Sequence, residues 1–212
     1  SMEDTLTLLL QGGWLMIPIG LCSLLAAAII IERFIALRRR AIIDPAVVRA
    51  VEAYNGRDEP VEPLEMCRKS RSPYARIIEE TLKARHLDRP QIIETMHAIG
   101  RTQVGALQRG LTGLEIIAGI SPLMGLLGTV LGMVSVFNAI AAEGIGDPQV
   151  LSSGISQALV TTVAGLSVAI PSLAAYSWFN RQVEEFATEM QERATALIAR
   201  LHQDGKNEAQ HS

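Results

Sequence analysis

Three observations predict an all-α membrane protein with three transmembrane helices. Charge is absent from three long blocks, residues 5–31, 116–142 and 148–180. Each block exceeds the ~20 residues that cross a hydrocarbon core of about 30 Å. A soluble core helix keeps one flank for water and rarely stays uncharged that long. The third observation is where the basic residues fall. All 19 Lys and Arg lie in two places, fifteen within 33–109 and four within 181–206. Arg38, Arg39, Arg40 and Arg181 abut the membrane edges, so the positive-inside rule sets the N-terminus outside and the C-terminus inside.

Residues 1–13 read as a periplasmic lead-in, with Gly12 and Gly13 as a flexible joint before Trp14, a residue type common at headgroup depth. The first span covers 14–37. Its uncharged block, 5–31, is preceded by Glu3 and Asp4 and followed by Arg33, Arg38, Arg39 and Arg40. That order opposes a secretory signal, which starts positive and is short, and reads as a signal anchor. Glu32 and Arg33 are expected to share the inner interface as a snorkelling pair.

Residues 38–115 are expected to form a helical cytoplasmic region. Pro45 opens a helix through Val47, Val48 and Val51 that Asn55-Gly56 ends. Pro60 and Pro63 read as a turn, and Ser72-Pro73 opens the next helix. Pro90 begins the longest one, in which Ile92, Met96, Ile99, Leu107, Leu111 and Leu114 keep helical spacing. That pattern runs into the second span, 116–142, without a strong breaker, so one helix or nearly one is expected. A periplasmic turn at 143–149 leads to the third span, 150–179. A cytoplasmic C-terminal helix, 180–202, carries an apolar stripe of Val183, Phe186, Met190, Ala194, Leu197 and Leu201 that must be buried, most simply on the 90–114 helix. Residues 203–212 are polar and expected to be disordered.

Several function classes are disfavoured. A net charge of −3 and 4% aromatic residues give neither the basic footprint nor the stacking platform of a nucleic-acid binder. Cys22 and Cys67 fall in different compartments and lack zinc spacing. His86, His97, His202 and His211 are scattered, so no metal site is expected. No nucleophile, paired acid or phosphate loop is legible, so neither an enzyme nor a cofactor is expected.

The chemistry concentrates in the second and third spans. Gly125, Gly128 and Gly132 remove bulk, and Gly128 and Gly132 share a helical face that lets backbones approach closely. Thr129 lies beside them; its hydroxyl either bonds its own helix one turn back or faces something polar. Gln157 and Thr161, four apart, share a face with Gly154 and Gly165 nearby, while Thr162 lies some 140° round from Gln157. An unpaired amide in hydrocarbon costs several kcal/mol. Gln157 must therefore meet a partner helix, a water file or a polar lumen, and composition leaves these alternatives open. Pro171 is expected to kink or loosen the third span, freeing a carbonyl that Ser167 or Ser172 could satisfy. Three helices do not enclose a channel, so a polar face here suggests an oligomer around a shared axis.

With SPLMGLLGTVLGMVSVF at 121–137, GISQALVTTVAGLSVAIPSLAAY at 154–176 and the GGW…PIG…ERF run at 12–34, the chain resembles the ExbB/TolQ/MotA family of proton-channel stator subunits. It is most similar to ExbB and TolQ, since MotA has four spans. The resemblance implies an inner-membrane homopentamer whose second and third spans line a pore. It also implies an ExbD- or TolR-like single-span partner with a transmembrane Asp that carries the proton, and force passed to TonB- or TolA-like proteins. Thr129 and Thr162 match the family's pore-facing threonines. Gln157 stands where well-known members have a glutamate, and Gln cannot titrate. A mechanism needing a carboxylate there fails, whereas a polar hand-off with the partner's Asp as sole carrier survives. Thr129, Thr162, Gln157 and Thr161 are thus the expected proton-pathway residues, with Gly125, Gly128, Gly132, Gly154, Gly165 and Pro171 packing the helices. A non-conducting scaffold and an ion-leak pore are the competing functions.

Overall fold

A computed structural model describes residues 13–144 and 148–203. The expected lead-in, the middle of the 143–149 turn and the tail fall on 1–12, 145–147 and 204–212, outside the described residues. Every regular element among the described residues is helical: α1 (Met16–Ala36), α2 (Arg39–Ile42), α3 (Pro45–Ala53), α4 (Val61–Lys69), α5 (Pro73–Lys83), α6 (Arg89–Arg109), α7 (Thr112–Glu143) and α8 (Pro148–Gln203). The chain divides into two compact units, one taking 13–32 and 111–178, the other 33–110 and 179–203.

Among the described residues, three helices are long and apolar enough to cross a membrane. Only 11%, 17% and 28% of their most apolar stretches is buried inside the chain. Leu24 is 70% exposed, and Phe137 and Val163 are each 63% exposed. A water-soluble surface does not tolerate apolar area on that scale, so these faces meet lipid or other protein.

The second unit is built from short helices with legible starts. Asp44 Oδ1 accepts from the Ala46 amide at 2.9 Å to cap α3, and Ser72 Oγ accepts from the Ala75 amide at 3.1 Å to cap α5. Proline follows each cap at the first helical position, where no amide is needed. Gly56, at φ +86°, ends the α3 region in the left-handed conformation that favours glycine. One expectation fails here. Pro60 and Pro63 do not mark a turn; Pro60 is the N-cap of α4 and Pro63 lies in its first turn. Proline is as compatible with a helix start as with a turn, and spacing alone does not separate the two.

The expected continuity from 90 into the second span is nearly met. α6 and α7 are separated only by Gly110 and Leu111, which keep helical torsions of φ −65°, ψ −19° and φ −92°, ψ −17°. A Cβ at Gly110 would collide with the Arg33 guanidinium, a close approach that glycine permits. The third span and the C-terminal helix form one unbroken α8, Pro148–Gln203, with Pro171 inside it. Neither serine takes the carbonyl that Pro171 frees. Ser167 Oγ donates to the Val163 carbonyl at 2.8 Å and Ser172 Oγ to the Val168 carbonyl at 2.7 Å. A hydroxyl reaches back one turn from its own residue more easily than to the proline's vacant acceptor.

The C-terminal stripe is buried at Val183, Met190, Ala194 and Leu197, together with Ile198. Its polar flank is tied to α2 and α3 rather than to α6 alone. Arg39 Nη1 and Nη2 donate to Glu189 Oε2 and Oε1 at 2.7 and 2.6 Å, a two-pronged pair. Arg193 donates to the same carboxylate at 2.9 Å and to Glu52 at 3.1 Å. Burial pushes the Glu189 carboxyl up, but the bonds from Arg39 and Arg193 outweigh it and hold the pKa below its ordinary value. α6 and this part of α8 flank a cavity of about 310 Å³ lined by Met96, Val104, Ala187 and Met190 among others.

Candidate functional site

The site grows from the glycines of α7 and α8. A Cβ at Gly125 would lie 2.9 Å from the Thr161 carbonyl oxygen and 3.0 Å from Thr162 Cα. At Gly132 it would lie 2.9 Å from Ala158 Cβ. At Gly128 it would collide with the Thr161 side chain, at Gly154 with Val136, and at Gly165 with the Ser121 carbonyl. As one number in these pairs rises the other falls, so the helices are antiparallel neighbours. Each glycine sits where the partner helix leaves no room for a side chain.

That close approach brings the two spans' hydroxyls together. Thr129 Oγ1 lies 3.0 Å from the Ala158 carbonyl across the seam and 3.3 Å from Gly125 O on its own helix. Thr162 Oγ1 lies 3.1 Å from Gly125 O, and the two hydroxyls hydrogen-bond to each other. Thr129 thus reaches its own helix one turn back, as one of its two readings has it, and reaches α8 at shorter range.

Each hydroxyl has one proton to donate. If Thr129 donates to Ala158 O, Thr162 donates to Thr129. If Thr162 donates to Gly125 O, Thr129 donates to Thr162. The pair has two complementary orientations, interconverted by rotating two O–H bonds. No formal charge is involved. The carbonyls of Gly125 and Ala158 complete the ring, and Ala158 offers no side-chain signal by which sequence reasoning could have found it.

Gln157 and Thr161 do not stay together. Thr161 is 1% exposed, packs on Gly128, and donates to the Ala158 carbonyl at 2.8 Å. Gln157 is exposed. The seam uses Gly154, Ala158, Thr161 and Gly165, spaced four, three and four, which leaves Gln157 about 100° round from Ala158. Its amide lies over Gly13; a Cβ there would be 2.7 Å from Nε2. Gly13 has φ +72°, so a side chain would be strained there as well.

Two features of the seam went unread in the sequence. Ser121 is buried, and its Oγ has no partner among the described residues. Pro122 follows it inside α7, and the SPLMG string did carry that signal. No group of His, Cys, Asp or Glu among the described residues could hold a metal.

A three-span chain with a hydroxyl-bearing seam between its last two spans is an integral membrane protein. Comparison with known proteins gives the class a family. Residues 69–192 match the model of the MotA/TolQ/ExbB proton channel family, a stretch that includes both expected spans of the hairpin, 116–142 and 150–179. An ExbB-like 1 biopolymer transport protein of Synechocystis is 34% identical over 190 residues, covering 84% of this chain and 73% of its own. Biopolymer transport protein exbB1 of Vibrio cholerae is 31% identical over 177 residues, covering 82% and 78%. An ExbB homolog of Methanothermobacter thermautotrophicus is 28% identical over 82% of this chain, which spans 62% of that protein's length. The chain belongs to the MotA/TolQ/ExbB proton channel family.

Proposed function

We propose that this chain is the inner-membrane subunit of a stator driven by the proton-motive force, of the ExbB/TolQ kind. It would assemble as a homopentamer, N-terminus outside, around an ExbD- or TolR-like single-span partner. It would energise TonB- or TolA-type processes at the envelope. The observation that carries the reading is the Thr129–Thr162 hydroxyl pair with the Gly125 and Ala158 carbonyls, a charge-free polar ring between two apolar spans. Such a ring can accept a hydrogen bond from a passing protonated group and reorient without ionising. Gln157 can do the same but cannot hold a proton, so the titrating carboxylate belongs to the partner. Thr129 and Thr162 are proposed to face the path, Gln157 to stand at its margin, and Thr161 to act through packing.

The test is Thr129→Val and Thr162→Val in the complex with its partner. Valine keeps the shape and removes the hydroxyl. An interhelical hydrogen bond in a membrane is worth only about 0.6 kcal/mol, so assembly should persist while potential-driven proton uptake into vesicles falls by tenfold or more. Full uptake in both variants would refute the path.

One observation favours a second reading, the non-conducting scaffold. The two hydroxyls are satisfied within the chain, as an interhelical lock would require. An intact complex that takes up no protons under a potential would select it.

A further inference from the structure

We propose that Arg38 and Arg40 bind the anionic headgroup of a glycerophospholipid at the membrane surface where α1 ends. The local fold holds these side chains outward. Leu37, Ile42 and Ile43 are 3%, 2% and 4% exposed, which pins the stretch on both sides. Arg39 is fixed by its two-pronged bond to Glu189. Arg38 and Arg40 are exposed and have no acidic partner among the described residues.

Four acids of the same unit are engaged by other groups. Glu189 serves Arg39 and Arg193, Glu52 serves Arg193, and Glu185 serves Arg181. Asp44 caps α3. Two guanidiniums are thus left uncompensated two and four residues beyond the end of an apolar span. One turn earlier, Phe34 and Ile35 are 58% and 53% exposed, an apolar surface suited to acyl chain. A guanidinium matches a phosphodiester with two parallel N–H donors, and exposed apolar side chains just before it distinguish a lipid from a soluble phosphate.

The test needs no ion gradient, so its failure is separable from failure of the transport reading. The full-length protein is equilibrated in detergent with equal amounts of phosphatidylglycerol and phosphatidylcholine, and retained lipid is counted by native mass spectrometry. Phosphatidylglycerol should be enriched on the order of tenfold, the scale two arginines supply near an anionic surface. Added NaCl should erode that enrichment. The Arg38→Gln/Arg40→Gln variant should bring the ratio near one, and Arg38→Lys/Arg40→Lys should keep most of it. If the glutamine variant fails to fold, the salt series on the wild type and the lysine variant still decide. A wild-type ratio near one, enrichment indifferent to salt, or an unchanged ratio in the glutamine variant would overturn the proposal. So would displacement of the lipid by millimolar inorganic phosphate, which would mark a soluble-anion site instead.

Discussion

Replacing Gly125 by alanine tests whether the α7–α8 seam is held by backbone approach. The new Cβ would stand 2.9 Å from the Thr161 carbonyl oxygen and 3.0 Å from Thr162 Cα. Both are backbone atoms, so no rotamer change relieves the clash. Ordinary contact begins at 3.4 Å, so the helices must part by about 0.5 Å, enough to forfeit about a quarter of the dispersion energy at each contact along the seam. Overpacking of this kind costs about 1–3 kcal/mol. Gly119, on the same helix, has open space around a Cβ. Gly119→Ala carries the same gain in helix propensity, about 1 kcal/mol or less, without the clash. The difference between the two variants therefore isolates the overpacking term, and propensity cancels. Gly113→Ala, which would meet the flexible tip of Ile29 at 2.8 Å, should fall between them. Resistance to unfolding in graded SDS, in detergent micelles, reads all three. Midpoints for Gly125→Ala and Gly119→Ala that agree within about 0.5 kcal/mol would refute the reasoning.

Ser121→Ala removes a buried hydroxyl with no partner among the described residues; the same unfolding assay should show no loss and up to about 1 kcal/mol gained, and a clear loss would reveal a partner. Glu189, its carboxyl held below the ordinary 4.5, contributes stability that is present above that value and lost as pH falls through the lowered one. Glu189→Gln should therefore be less stable than wild type at neutral pH and converge with it in acid; a gap independent of pH would sink the ion-pair account. Gln157→Glu introduces a titratable group where the family resemblance places one. Proton flux that rises, or no longer needs the partner, would put position 157 on the conduction path, whereas poor assembly with unchanged flux per complex would assign it to packing.

The spans were legible because the bilayer imposes a single crude demand, some twenty residues without charge. The helix starts at Pro45, Pro73 and Pro90 were legible because a cap or proline acts through its nearest neighbours. Pro60 and Pro63 were misread because the same local chemistry serves a turn and a helix start. In the seam, the Gly128-x-x-x-Gly132 spacing announced close packing, but whether Thr129 faced its own helix or another depended on the register of α8. Register is set by all five glycines together, and no local pattern states it. The separation of Gln157 from Thr161 follows from that register too: a shared face at four-residue spacing still spans 40°, enough to put one side chain in the seam and the other outside it.

The division of polar groups bears on what surrounds this chain. Thr129, Thr161 and Thr162 find their partners inside it, across a seam that glycine makes narrow. Ser135, Asn138, Ser152, Ser156 and Gln157 lie within or beside the apolar stretches and are exposed. A serine can turn its hydroxyl back to its own helix, as Ser135 does toward the Leu131 carbonyl at 3.1 Å. An amide has two donors and an acceptor and cannot be satisfied that way. Hydrocarbon offers Asn138 and Gln157 nothing, at a cost of several kcal/mol each if left bare. Among the described residues, those two side chains are where the chain's own hydrogen-bond partners run out, and where water or another protein chain would supply the missing bonds.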